Sequence, residues 1–469
     1  MNPELNISRV PSALLLLAIV LGAGVAFAAP VTRDEAAAVA DYWIAREINS
    51  PRVKLTDKQR ADRLATLQDR QVLCLVEPDL LLDQPPKGAA VLAYVAKYRP
   101  CGFVVVSAED RVEPVIAFDA VSEFAWDNQK DTFTRHFLSK TMSSRVRGLA
   151  ARAAKDGAAA VHANWAAIRS TLAGGSTVTT AEAPGGSYYI LWNTPLWGQG
   201  LYYNDVVVAH NGGISSVPTG CTATAMAIMM RFHSWPLTGN GSHSYTDTWD
   251  DCRYSHSVNL GAQTYNWDNM PFASLTAANS DVANLMYHCG VVVNMNYTSS
   301  GSYAWPSAGE MNDHFRYKGT IEVTSSHDAP MIASIKAGLP VILSSSAHTV
   351  LATGYRDTMS PYYYFNAGWN GGSSGWYNLD QVPGGDPSID RSYPYASPNN
   401  YIYVDAAWGG SESGTLQNPY DTLNEGVAAV PAAGHLMLKT GTFTGAGNVP
   451  ITITKQMLIQ SYLGSAVIH

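Results

Sequence analysis

The sequence predicts an α+β protein in which helix precedes strand in each of two folded regions. Three observations predict it. First, Asp34–Ile48 sets Ala38, Val39, Tyr42, Trp43 and Ile48 on one helical face with charges opposite. The strand-like runs 90–96, 102–107 and 112–118 follow, and residues 133–171 return to helical spacing. Second, an Ala/Met-rich run from Cys221 to Pro236 reads as a buried helix. A short helix at 329–336 and strands at 341–343, 349–353, 362–365 and 376–379 come after it. Third, Ser170–Ser187 lacks large apolar residues and is rich in Thr, Ala, Gly and Ser, which marks an exposed linker open to proteolysis.

The 469 residues, 46% hydrophobic and 14% charged, suffice for two or three domains. A formal charge of -8 with no basic stripe argues against a nucleic-acid partner. At the N-terminus, Arg9 precedes the apolar run Ser12–Val25, and Ala26-Phe-Ala28 precedes Ala29-Pro30. This pattern is a secretory signal peptide cut after Ala28 or Ala29, too short in its apolar part for a comfortable membrane span. The mature chain is therefore expected to be exported, secreted or periplasmic, with no membrane span.

Cysteines stand at 74, 101, 221, 252 and 289, an odd number for an exported protein. One assignment, among three possible for four cysteines, joins Cys74 to Cys101 and Cys252 to Cys289 and leaves Cys221 free.

After Asn400 the pattern changes. Runs at 401–405 and 436–443, a short helix at 425–429, and strands at 451–454, 457–460 and 466–468 resemble the opening of a pectin-lyase-like parallel β-helix. About 70 residues leave room for one or two coils.

The chemistry centres on Val217-Pro-Thr-Gly-Cys221. A cysteine in the first turn of a helix meets unpaired N–H groups and the positive end of the dipole, which favour a thiolate nucleophile. Alone, it reads more readily as a small apolar residue opening a core helix. A peptidase also needs a base, an orienting group and oxyanion donors. His233 lies at the far end of the same helix, roughly 18 Å away, and is a structural residue. His348, at the start of the run Thr349-Val-Leu-Ala-Thr, is the better base. Asn366, at the end of the next strand, is the candidate partner for the histidine. Gln199 is the candidate oxyanion donor beside the Cys221 N–H.

Four stretches carry a family resemblance: Trp197-Gly-Gln-Gly-Leu-Tyr-Tyr-Asn204, Gly220-Cys-Thr-Ala-Thr-Ala-Met-Ala-Ile-Met-Met-Arg-Phe-His-Ser-Trp-Pro236, Ala347-His-Thr-Val-Leu-Ala-Thr-Gly-Tyr355 and Phe365-Asn-Ala-Gly-Trp-Asn-Gly-Gly372. With them, residues 188–382 resemble the streptopain-like cysteine peptidases, a papain-like fold. Cys101–Phe118 resembles their inhibitory propeptide. The resemblance implies Cys221 as nucleophile, His348 as base, Gln199 in the oxyanion hole and Asn366 as histidine partner. It also implies a bacterial enzyme made as a zymogen, acting on protein or peptide substrates and inhibited by its own propeptide. No cofactor and no metal are implied, and oligomeric state is not indicated. The resulting division is a signal peptide (1–28), propeptide (29–171), linker with the maturation site (172–187), peptidase domain (188–400) and β-helix-like segment (401–469).

Two departures stand out. Ala367 replaces the Trp usual after the Asn, with Trp369 as a possible substitute, and Ser344-Ser-Ser replaces a longer Gly-rich loop. Ala367 and the unusual C-terminal tail keep a second reading open, a catalytically degenerate exported binding protein that uses the C-terminal segment. A third reading is thiol acyl transfer to amines on the same residues.

Overall fold

The computed structural model describes residues 30–77, 80–126, 128, 134–135, 137–145, 161–174, 187–248, 253–357, 360–379 and 389–469. The expected signal peptide, most of the linker, much of the helical stretch expected at 133–171 and Cys252 lie outside these residues. The chain forms two compact units.

Among the described residues, the first unit holds those up to Tyr188 together with those within 356–364 and 372–379. Its long helix, Arg33–Asn49, starts where Thr32 caps the Glu35 N–H at 3.2 Å, and Asp34 and Glu35 occupy the first turn. Val39, Ala40, Trp43, Ile44 and Ile48 are buried, as the amphipathic spacing requires. The helix covers an antiparallel sheet in the order Leu80–Leu82, Arg70–Val76, Val91–Tyr98, Phe103–Ser107, Val115–Asp119, Gly375–Asn378. Every residue of the Phe103–Ser107 and Val115–Asp119 strands is buried, so these continuous apolar runs are covered on both faces.

The Gly375–Asn378 strand departs from the expected domain boundaries. Trp376 pairs with Phe118 and Tyr377 with Ala117, so residues expected in the second region complete the sheet of the first. Arg356 strengthens the same arrangement. Its guanidinium makes a bidentate pair with Glu47, both contacts at 3.0 Å, and lies 4.4 Å from the Phe118 ring centroid and 5.1 Å from that of Trp376. Both partners are almost fully buried. Losing either one leaves a buried charge, which costs about 3–5 kcal/mol. Nearby, Glu113 accepts hydrogen bonds from Ser360 Oγ at 2.7 Å and Asn164 Nδ2 at 2.9 Å.

The expected Cys74–Cys101 disulfide is absent, and both thiols are free. The strand register is the reason. Arg70 lies opposite Tyr98, so the turn holding Cys101 sits beyond the Arg70 end of the sheet, while Cys74 lies opposite Tyr94. Four residues of strand separate the two, roughly 14 Å, against the roughly 7 Å limit for bridged Cα atoms.

The second unit holds residues 189–355, 365–371 and 389–469. Its core is built on helices Cys221–His233 and Ser280–Val292, in which Met226, Met229, Met230, Leu285 and Met286 are fully buried. The first helix ends where Ser234 turns into the left-handed region at φ 49°, ahead of Pro236. Cys289 is free in this core, 3.7 Å from Met230 Sδ. Strands Val341–Ser344 and Thr349–Arg356 pair antiparallel, Ile342 opposite Leu351, and Arg391–Tyr393 pairs with the former. The expected short helix forms as Asp328–Lys336, followed by Gly338 at φ 85°.

The C-terminal segment forms three parallel strands, Tyr401–Val404, Gly434–Phe443 and Met457–Ile468. Ile402, Leu436 and Ile459 stack in register. The helix Leu423–Ala429 lies close against them: a Cβ on Gly426 would fall 2.5 Å from Val404 Cγ2. Residues 451–454 are not a strand, and the two short strands expected after them are one. The segment is not separate from the second unit, because Tyr403, Met437 and Tyr462 pack with Ala337 and Leu339. No helix among the described residues is long and apolar enough to cross a membrane.

Three histidines of this unit are paired to tyrosine hydroxyls rather than to charges: His233 to Tyr317 at 3.1 Å, His256 to Tyr287 and His288 to Tyr265, both at 3.2 Å. Burial lowers all three from 6.5, with the nearby His435 adding to the effect on His233 and His210 to that on the others. His233 falls to about 3, and His256 and His288 to about 4. The unfolded chain binds these protons near pH 6.5 and the folded one does not, so their contribution to stability is lost as pH falls below that value. Melting curves should therefore show the second unit unfolding at progressively lower temperature from pH 6.5 to pH 4.5. Replacing His256 and His288 with Gln should flatten the dependence.

Candidate active site

Cys221 is the first residue of its helix, and Gly220 before it makes that start possible. Gly220 has φ 88°, and a Cβ there would lie 2.8 Å from Met295 Sδ and 3.1 Å from the Ser302 carbonyl. Only glycine fits both the backbone and the space.

His348 reaches the thiol from the neighbouring strand. The turn Ser345–His348 holds it, with Ser345 N–H donating to His348 O at 2.9 Å and His348 N–H to Ser345 Oγ at 3.2 Å. The His348 ring hydrogen-bonds Cys221. Its Nε2 lies 3.1 Å from the Ala367 carbonyl. A carbonyl only accepts, so Nε2 carries the hydrogen and Nδ1 is the atom left for the sulfur. Trp369 stacks on the ring at 5.5 Å between centroids and 14° between planes. Trp369 covers one face of the ring.

The expected Asn366–His348 contact is not the one that forms. Asn366 is buried, but its Nδ2 donates to the Pro195 carbonyl at 2.7 Å and its Oδ1 accepts from the Gly368 N–H at 3.1 Å. With both ends of the amide engaged, the backbone of the next residue orients the histidine. Asn366 acts one step removed, by fixing the turn that presents the Ala367 carbonyl.

Gln199 is 6% exposed, and its Nε2 has no hydrogen-bond partner. Its backbone carbonyl accepts from the Thr219 N–H at 2.9 Å, which ties it to the turn leading into Cys221. A buried amide donor without a partner is costly in a resting protein. It is also what an oxyanion hole holds ready.

Sequence reasoning missed Thr349. It lies beside the Cys221 sulfur and favours its charged form. Ser344 Oγ lies 2.7 Å from Thr349 Oγ1, and Thr222 Oγ1 lies 3.0 Å from it while donating to the Ala304 carbonyl at 2.6 Å. Its position next to His348 was the one available signal. Burial pushes the Cys221 thiol up, but the His348 charge and hydrogen bond together with Thr349 outweigh it, and the thiol settles at about 7 from an ordinary 9.0.

The geometry thus gathers a thiol, an imidazole and an oriented carbonyl, with an amide donor tied into the same turn, an arrangement that suits thiol-peptidase chemistry. Residues 197–377 match the Peptidase C10 family and residues 28–143 match the Spi protease inhibitor. The chain is thus similar to the Peptidase C10 family over residues 197–377, and a stretch similar to a protease inhibitor lies ahead of that region. It is 28% identical over 185 residues to streptopain of Streptococcus pyogenes, covering 35% of this chain and 46% of that protein. It is 25% identical over 302 residues to the thiol protease/hemagglutinin PrtT of Porphyromonas gingivalis, covering 60% of this chain and 32% of that one. The chain thus spans less than half the length of these curated relatives. A fragment of prointerpain A from Prevotella intermedia shares the fold, with a TM-score of 0.50 at 20% identity over 69% of this chain and 97% of the fragment.

Alkylation by iodoacetamide should report the thiol directly. The rate at Cys221 is expected to rise with pH around a midpoint near 7. Thr349→Val should move that midpoint upward, since it removes a polar group that favours the thiolate. An unchanged midpoint would remove Thr349 from the site.

Proposed function

We propose that this protein is an exported bacterial cysteine endopeptidase made as a self-inhibited zymogen. The observation that carries this reading is the Cys221–His348 pair, with its thiol at about 7 and its ring fixed by the Ala367 carbonyl. The thiolate Sγ attacks the carbonyl carbon of a peptide bond. The oxygen, now negative, is met by the Cys221 N–H and Gln199 Nε2. His348 gives its Nδ1 proton to the leaving nitrogen, the C–N bond breaks, and a thioester remains. Water, deprotonated by His348, hydrolyses it and restores the thiol. The protein or peptide substrate class rests on the relatives named above.

Two observations support the zymogen. The inhibitor-family match covers residues 28–143. The first unit also pairs strand Val115–Asp119 of that stretch with Gly375–Asn378 of the peptidase match. The degenerate reading loses its main motive, because Ala367 supplies the carbonyl that His348 uses and Trp369 covers the ring. The residues also fit transfer to amines, and the ratio of amine incorporation to hydrolysis separates the two. For the pieces along the chain we keep a signal peptide at 1–28, a linker with the maturation site at 172–187 and a peptidase region from 188.

An intact-mass time course of the precursor under mild reductant tests this reading. The wild type should trim itself between residues 170 and 190, and Cys221→Ala should stay whole. A Cys221→Ala chain that matures equally fast in isolation would sink it. On a peptide substrate, Gln199→Ala should lower kcat by about 100-fold with little change in KM, as loss of an oxyanion donor does.

A further inference from the structure

A second constellation lies in the same unit, outside the catalytic residues. His243, on strand Ser242–Thr246, faces Glu310 and His314, one turn apart on helix Ala308–Phe315. His314 Nε2 is 3.1 Å from Glu310 Oε2, and His243 Nδ1 is 3.8 Å from the same oxygen. All three ligand atoms lie within 4.8 Å of one another, and all three residues are partly buried.

The far nitrogen of each ring is already engaged. His243 Nε2 lies 2.9 Å from Asn294 Oδ1, and His314 Nδ1 lies 2.9 Å from the Asn240 carbonyl. Each of these oxygens accepts, so each far nitrogen carries the hydrogen. The two inward nitrogens then present lone pairs to a carboxylate that also only accepts. Three acceptors converge with no hydrogen among them unless a ring takes an extra proton; one proton on His314 would satisfy its contact with Glu310 but would leave the His243 lone pair, 3.8 Å from the same oxygen, without a partner there. One divalent cation resolves all of these contacts at once. The outer contacts are firm: Asn240 N–H donates to the His314 carbonyl at 2.9 Å, and Asn240 Nδ2 donates to the Asp313 carbonyl at 2.9 Å. Imidazoles held by acceptors on their far side are the usual outer shell of a metal site.

We propose that His243, Glu310 and His314 bind a zinc-class divalent cation, with water as the fourth ligand. Two imidazoles and one carboxylate suit zinc, whose bonds of about 2.0–2.2 Å put tetrahedral ligand atoms roughly 3.3 Å apart. The Glu310 contacts bracket that spacing, so the rings need to close only modestly. The ion clips the Ser242–Thr246 strand to the Ala308–Phe315 helix. Through Asn294 it also braces Met295, which packs under Gly220 and whose carbonyl accepts from Tyr245 Oη at 2.6 Å. The sequence implied no metal because His243 lies far along the chain from Glu310 and His314, and only the fold brings it to the Glu310–His314 turn.

The whole chain carrying Cys221→Ala tests this without competition from the catalytic thiol. After chelation and removal of the chelator, Co2+ should bind at one equivalent with the intense visible bands of a four-coordinate site, and Zn2+ should raise the melting temperature. His243→Gln with His314→Gln should abolish both effects, and Asn294→Ala should weaken Zn2+ by about 10-fold. X-ray absorption of the zinc-loaded parent gives an answer even if the variants fold poorly: two imidazoles with oxygen donors are expected. Absence of imidazole, failure of the parent to bind at millimolar Zn2+, or an equal melting shift in the double variant would overturn the assignment.

Discussion

The site depends on a contest at one sulfur. Enclosing Cys221 penalises its charged form, and left alone that burial would make it an inert core thiol. It becomes a nucleophile because His348 and Thr349 are held against it firmly enough to outweigh the penalty. Much of the surrounding structure serves that placement. Gly220 permits the abrupt entry into the helix, the Ser345–His348 turn fixes the base, and Trp369 shields the imidazole. The Ala367 carbonyl selects the tautomer that leaves Nδ1 toward the sulfur.

The histidine's partner shows how roles can move between backbone and side chain. A side-chain amide orients by its oxygen, and a mutation can remove it. A backbone carbonyl does the same work provided that the turn presenting it is rigid. Here Asn366 supplies the rigidity by bridging the Pro195 carbonyl and the Gly368 N–H. This also explains why the residue at 367 can be alanine: the needed atom is one that every residue carries.

In the first unit, the buried Glu47–Arg356 pair and the strand pairing of Trp376 with Phe118 join residues far apart in sequence. A buried ion pair adds little net stability compared with apolar packing, but it penalises arrangements that separate its partners. That suits an element whose purpose is a defined docking of one stretch of chain against another.

Much was legible in the sequence. Helical spacing found Arg33–Asn49, continuous apolar runs found the buried strands, and the turn into an Ala/Met helix singled out Cys221. These are local patterns, set by the period of a helix or strand and by the needs of its first turn. Their places in the chain, and the motif resemblance, put forward His348 and Gln199 as candidates. What the sequence left undecided depends on register and through-space approach. The free Cys74 and Cys101 follow from the register of two strands. Thr349 at the sulfur, Ala367 in place of Asn366 at the imidazole, and His243 beside Glu310 and His314 all follow from how separate elements meet. The chain determined which residue types were available and which local shapes they could take. The tertiary structure decided which atoms face one another, because hydrogen bonds and charge interactions fall off within a few ångströms, and sequence spacing does not measure that distance.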